Sequence, residues 1–199
     1  NDGTVDSAAK TFTLTVSAVN DAPVVGTVAN QTTAEDTAKT VTLSETDVDT
    51  GDSHTFTATS STSNVTPSIS GATLTMTPAA NWSGTATITI KANDGTVDSA
   101  AKTFTLTVSA VNDAPVVGTV ANQTTAEDTA KTVTLSETDV DTGDSHTFTA
   151  TSSTSNVTPS ISGATLTMTP AANWSGTATI TIKANDGTVD SAAKTFTLT

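Results

Sequence analysis

The 199-residue chain has no cysteine and no tyrosine, and its seven basic residues are all lysine. Each absence closes off chemistry. Without cysteine there is no disulfide staple, no thiolate metal ligand and no thiol nucleophile. Seven cations stand against 20 acids, giving a formal charge of −13. Such a surface cannot neutralise phosphates, so nucleic acid is not an expected partner, and anionic membranes are disfavoured. Cations are the natural partner instead. Aromatic residues make up only 4%, and no apolar run approaches the length needed to span a bilayer, so no membrane insertion is expected in this segment. No signal segment is present; a secreted chain would take its export signal from outside this stretch.

What the chain does have is repetition. Residues 1–92 and 93–184 are identical, and residues 185–199 begin a third pass. Selection on an active site rarely keeps two identical copies side by side, whereas selection on length or valency does. The repeat therefore predicts a tandem array, and a slice of a longer one. A period of 92 residues suits one small domain. Each period holds 23 threonines, which with valine and isoleucine favour strands.

Hydrophobicity alternates with period two almost throughout. Within one period, strands are expected at 24–28 (with a short piece at 31–33), 39–44, 54–59, 65–69, 72–76, 85–91 and 103–108. The inward faces would carry Val41, Leu43, Phe56, Ala58, Leu74, Met76, Ala86, Ile88, Ile90, Phe104, Leu106 and Val108. Pro67 suits an edge strand. Turn sequences such as Asp-Thr-Gly-Asp and Asn-Asp-Gly separate the strands. The expected fold is all-β: tandem seven-stranded, immunoglobulin-like Greek-key β-sandwiches at 20–111 and 112–199. Residues 1–19 read as the last strand and linker of a truncated preceding repeat. Its strand, 11–16, is expected to fray or to pair with a neighbouring molecule.

That topology sorts the acids. Asp47, Asp49 and Asp52 lie on one loop, Asp94 and Asp98 on another, and Asn20 and Asp21 at the start of the first strand. All belong to one pole of the sandwich. Glu35 and Asp36 belong to the opposite pole, beside the next linker. The junction between the two domains is thus expected to gather Glu35 and Asp36, the linker residues Asn112 and Asp113, and Asp139, Asp141, Asp144 and Asp186. Clustered carboxylates repel unless a cation sits among them. Calcium fits this oxygen-rich, irregular donor set best; magnesium demands stricter geometry, and zinc prefers histidine or thiolate.

The stretches "AEDT", "TDVDTGD", "KANDG" and "VNDAPV", in this order and spacing, resemble the calcium-binding signature of cadherin-type repeats. They resemble more closely the bacterial cadherin-like tandem repeats of giant surface adhesins. That resemblance covers the whole period. It implies calcium at each linker, stiffening a string of domains into a rod. By position, Glu35 matches the acidic residue after the first strand, and Asp139 and Asp141 match the Asp-x-Asp pair. Asp186 matches the aspartate ending the sixth strand, while Asn112 and Asp113 match the linker. The linker "SAVNDAP" has fewer acids than its animal counterpart. "AANWSG" stands where a further acidic motif is expected. One or two ions per junction are therefore expected rather than three.

Other features carry less. Thr55, Thr57, Thr59, Thr85, Thr87, Thr89, Thr103, Thr105 and Thr107 are expected to face outward as a three-by-three hydroxyl array. Threonine is also simply the polar residue best suited to an exposed strand. His54 and His146, one per period, read as strand-end surface residues, and Trp82 as a loop plug against the core. No nucleophile–base pair is present, so no enzyme is expected. The reading is a structural extender of a bacterial extracellular adhesin or fibre at the cell surface. Its partners are neighbouring identical repeats and, in a fibre, other copies of the chain. The alternatives are a self-assembling filament subunit with strand exchange or lateral packing, and a carbohydrate- or ice-binding module using the threonine faces.

Overall fold

The computed structural model describes residues 3–51 and 53–199, and the chain divides into two compact units, 1–110 and 111–199. Among the described residues all regular structure is β-strand. The first unit contains β1 (Val24–Val25), β2 (Gln31–Ala34), β3 (Lys39–Thr42), β4 (Glu45–Thr46), β5 (Thr55–Ser60), β6 (Val65–Ser70), β7 (Thr73–Pro78), β8 (Gly84–Asn93) and β9 (Lys102–Ser109). One sheet has the order β2-β9-β8-β5 and the other β3-β7-β6. β2 runs parallel to β9, and the remaining neighbours are antiparallel.

Alternation dictates the core. On β8, Ala86, Ile88, Ile90 and Ala92 are buried while Thr85 and Thr87 are exposed. Leu74 and Met76 on β7 and Leu106 on β9 meet them in one hydrophobic cluster drawn from both sheets. This is the expected β-sandwich. Val41, Phe56, Ala58 and Trp82 pack against that cluster while partly exposed. Trp82 closes over Gly84, where a Cβ would stand 2.8 Å from the indole Cζ2 and where φ is +151°. Only glycine suits that position.

The strand expected over 39–44 stops at Thr42, and a separate strand, β4, follows it at Glu45–Thr46. β3 pairs with β7, whereas β4 pairs with β1. The crossover is fixed at Gly26, whose N–H donates to Ser44 O at 2.7 Å. A side chain at Gly26 would collide with the Ser44 hydroxyl. β6 is a full six-residue edge strand, with Pro67 opposite Met76.

The second unit repeats this plan with β10 (Val116–Val117), β11 (Lys131–Thr134), β12 (Glu137–Thr138), β13 (Thr147–Ser152), β14 (Val157–Ser162), β15 (Thr165–Pro170), β16 (Ala178–Asn185) and β17 (Lys194–Leu198). Its sheets are β11-β15-β14 and β13-β16-β17. The counterpart of β2 shrinks to an isolated parallel bridge between Gln123 and Leu198. In the first unit that pairing continues through Thr33–Val108 and Ala34–Ser109.

The threonine faces exist but are staggered. Thr85, Thr87 and Thr89 stand opposite Thr107, Thr105 and Thr103. On the other side only Thr59 meets this row, at Thr89, while Thr57 faces Lys91 and Thr55 faces Asn93. The square three-by-three array therefore does not form, because the register of β5 is shifted along β8. The other sheet is closer to a continuous hydroxyl surface, with rows Thr40–Thr75–Ser68 and Thr42–Thr73–Ser70. Residues 5–22 hold no strand, and Phe12 is 91% exposed.

Candidate metal site at the acidic loops

In the second unit the loop 139–146, the loop after β16 and residues 112–113 converge. The side-chain oxygens of Asp139, Asp144 and Asp186 lie within 4.8 Å of one another. Asp186 is buried, Asp139 half-buried and Asp144 exposed, so the cluster opens to solvent on one side. Asp186 is held by its own turn: Oδ1 accepts the N–H groups of Thr188 at 2.6 Å and Val189 at 2.7 Å. Its Oδ2 accepts the Asn112 side-chain amide at 2.9 Å. Asp139 Oδ1 accepts the Asp141 N–H at 3.0 Å, and Asp141 Oδ2 in turn accepts the Asp113 N–H at 2.7 Å.

These bonds shape the electrostatics. The Val189 N–H, and then the Asn112 amide, hold the Asp186 carboxyl below its usual range. The Asp141 N–H, and then His146, do the same for Asp139. Hydrogen bonds to the ionised form favour that form. Both carboxylates are therefore anions near neutral pH. Their hydrogen-bond partners are amide N–H groups and one imidazole.

The first unit repeats this scaffold. Asp94 accepts from Thr96, Val97 and the Asn20 amide at 2.6, 2.7 and 2.9 Å. Asp47 accepts from Asp49, and Asp49 from the Asp21 N–H at 2.7 Å. Asp52, the counterpart of Asp144, lies outside the described residues. Asp98 sits on the same loop as Asp94 but is engaged elsewhere, by Lys91 at 3.3 Å and Asn93 at 2.7 Å. Glu35 is buried, with its N–H donating to Ser109 O at 2.9 Å. Asp36 adopts a φ of +57° and caps a turn, accepting the Asn81 N–H at 3.0 Å.

The histidines are not idle surface residues. His146 Nε2 lies 2.9 Å from Asp139 Oδ2, and Nδ1 lies 3.2 Å from Glu137 Oε1. His54 bridges Asp47 and Glu45 in the same way. The hydrogen bond to Asp139, with the further pull of Glu137 and Asp144, raises the His146 pKa. Glu137 and His146 were missed from the sequence alone. The available signal was the spacing of "ETD" from a histidine seven residues beyond the aspartate, at the mouth of the next strand.

Residues 19–109 match the family model of the cadherin-like domain, and residues 112–199 match that of the bacterial Ig domain. The chain belongs to the cadherin-like and bacterial immunoglobulin-like repeats. Residues 20–107 and 112–199 are the same sequence, so the two descriptions apply to one kind of domain. Among solved structures, the protocadherin gammaB4 extracellular domain is similar at 20% identity and a TM-score of 0.46, over 90% of this chain and 34% of that one. The human mucin-like protocadherin EC1-2 is similar at 20% identity and a TM-score of 0.47, over 88% and 95% of the two chains. The D00-D0 domain of intimin is similar at 15% identity and a TM-score of 0.32, over 87% and 98%. This cadherin-like chain thus spans about a third of the first of those structures. No curated protein matches it. Cadherin-like and bacterial Ig domains are typically extracellular, non-enzymatic modules, and cadherin-like domains commonly bind calcium. Among the described residues no helix is long and apolar enough to cross a membrane.

Proposed function

We propose that this chain is a structural extender segment of a bacterial extracellular adhesin or fibre, with calcium held at the acidic loops of each unit and stiffening the joints. The observation that carries the reading is the Asp139–Asp144–Asp186 cluster, three carboxylates within 4.8 Å. The donors are hard anionic oxygens with an open side, the chemistry that calcium takes and zinc does not. Bound there, the ion would supply the charge that the cluster otherwise lacks. Asp141, Asn112 and Asp113 orient or extend that set; Asp47, Asp49, Asp94, Asn20 and Asp21 form its counterpart in the first unit. The resemblance adds Glu35 and Asp36 as contributors to the following joint, and one or two ions per joint.

Small-angle scattering with calcium and then with chelator tests the rod. The expected result is a narrower distribution of end-to-end distances with calcium, together with slower proteolysis near residue 111. Identical profiles in both conditions would sink the reading. A Glu35→Gln variant with unchanged calcium affinity would remove that residue from the shell.

A further inference from the structure

Residues 55–90 contain none of the chain's 20 acids and seven lysines, and their repeat at 147–182 contains none either. Everything from β5 through most of β8 is thus neutral, in a chain of net charge −13. The fold places this neutral block at open sheet edges, because β5 ends one sheet and β6 ends the other. Exposed edges usually carry a device that keeps a second chain from adding a strand: a charge, a proline, a bulge or a short length. β3 begins at Lys39, and β2 is four residues long and runs into Glu35 and Asp36. β6 holds Pro67. The Ala79 N–H donates to Asn64 O at 2.7 Å, so alternation turns the backbone of Thr66 and Ser68 toward β7 and that of Pro67 outward. The donor that Pro67 lacks is one that would face a newcomer. β5 has no such guard. Thr55–Ser60 pair with β8 without a bulge and hold no proline, glycine or charge. The Ser61 N–H donates to Thr87 O at 2.9 Å, continuing the same register. Alternation then aims the backbone groups of Thr55, Thr57 and Thr59 at β8, and those of Phe56, Ala58 and Ser60 at the open side. Phe56 and Ala58 face the core yet are only partly buried, unlike Ile88 and Ile90 beside them. β13 repeats all of this, with Ser153 donating to Thr179 O at 2.9 Å.

We propose that β5 and β13 are self-pairing edges: each adds, antiparallel, to the same edge of a second copy of this chain, and two sheets become one. The neutral block lets two strongly acidic chains approach there without carboxylates meeting. A two-fold axis normal to the sheet keeps outward threonines outward, so opposed residues share parity. The register with Ala58 opposite Ala58, and Phe56 opposite Ser60, sets every open N–H of the strand against an open C=O. Thr57 then stands opposite Thr59 in a pair without hydrogen bonds, where side chains come closest. Pairing also takes the exposed margins of Phe56 and Ala58 out of water. β5 and β13 have the same sequence, so either can pair with either. Two edges per chain let association continue beyond a dimer.

Sedimentation of the whole chain in chelator, which removes any metal-bridged contact, should show species that grow with concentration. Thr57→Lys together with Thr149→Lys puts a charge on each open edge at an exposed side chain, and should weaken association by about tenfold. Thr42→Lys with Thr134→Lys makes the same change of net charge at exposed positions on the opposite sheets, and should leave association as it was. A Thr57→Cys chain mixed with a Thr59→Cys chain and oxidised should give more disulfide-linked dimer than either chain alone; no native cysteine interferes. A single monomeric species at every concentration would overturn the proposal, and so would equal association of the two lysine variants. Equal cross-linking in the mixed and the separate chains would overturn the pairing of Thr57 with Thr59.

Discussion

The two units share the sequence 20–107 and 112–199 without a difference, yet their closing edges differ. In the first, β2 is a four-residue strand and Glu35 is buried. In the second, the same residues form one bridge, Glu127 is exposed and a cavity lies open beside Trp174. In the first unit the pairing of β2 with β9 reaches Val108 and Ser109. The third copy of the strand teaches the same lesson from the other side. Residues 10–18 have the alternation of a strand and, at Phe12, Leu14 and Val16, the exposure of a coil; strand propensity is a preference for a half-buried pleated surface rather than a property of the segment alone.

Leucine truncation on the closing strands should give the largest effect. Leu106→Ala should cost about 2–5 kcal/mol in urea unfolding. Leu198→Ala should fall toward the low end of that range, since Leu198 already borders a cavity and its surroundings have room to relax. Equal costs would mean that the two edges are equally packed.

Acid should act on both units alike. Asp94 and Asp186 have carboxyls held below the usual value of 3.8 by turn N–H groups and an asparagine amide. A depressed folded pKa means stability that is present above 3.8 and lost as the pH falls through the lower folded value. Denaturant melts at descending pH should show that loss in both units of the chelated chain; a loss confined to one would break the equivalence of their acidic loops. The smallest effect belongs to the exposed strand. Val16→Ala should leave the monomer's stability within about 0.5 kcal/mol, and a larger change would show that residues 10–18 already pack against something.

Much of this was legible in advance. Period-two alternation named the inward faces correctly, from Leu74 and Met76 to Phe104 and Val108. The loop argument brought Asp139, Asp144 and Asp186 together, with Asn112 and Asp113 beside them. Other features had no local signal. "KTVTLSET" alternates without a break, so nothing in it marks the change of partner between β3 and β4; that change is fixed by Gly26 from a distant strand. Alternation also says which face a threonine occupies but not its register against the neighbour, so the staggering of Thr55 and Thr57 was hidden. The pairing of Asp98 with Lys91 has no signal in the sequence, and His146 became part of the acidic site only when folding placed Glu137 and Asp139 on either side of it.

Calcium titrated calorimetrically into the chelator-stripped chain tests the central claim most directly. The predicted result is saturable binding, in the range of about 10⁻⁴–10⁻³ M common to extracellular modules, that weakens sharply when Asp139→Asn and Asp144→Asn remove two carboxylates of the cluster. No binding at millimolar calcium, or binding unchanged in that double variant, would contradict it.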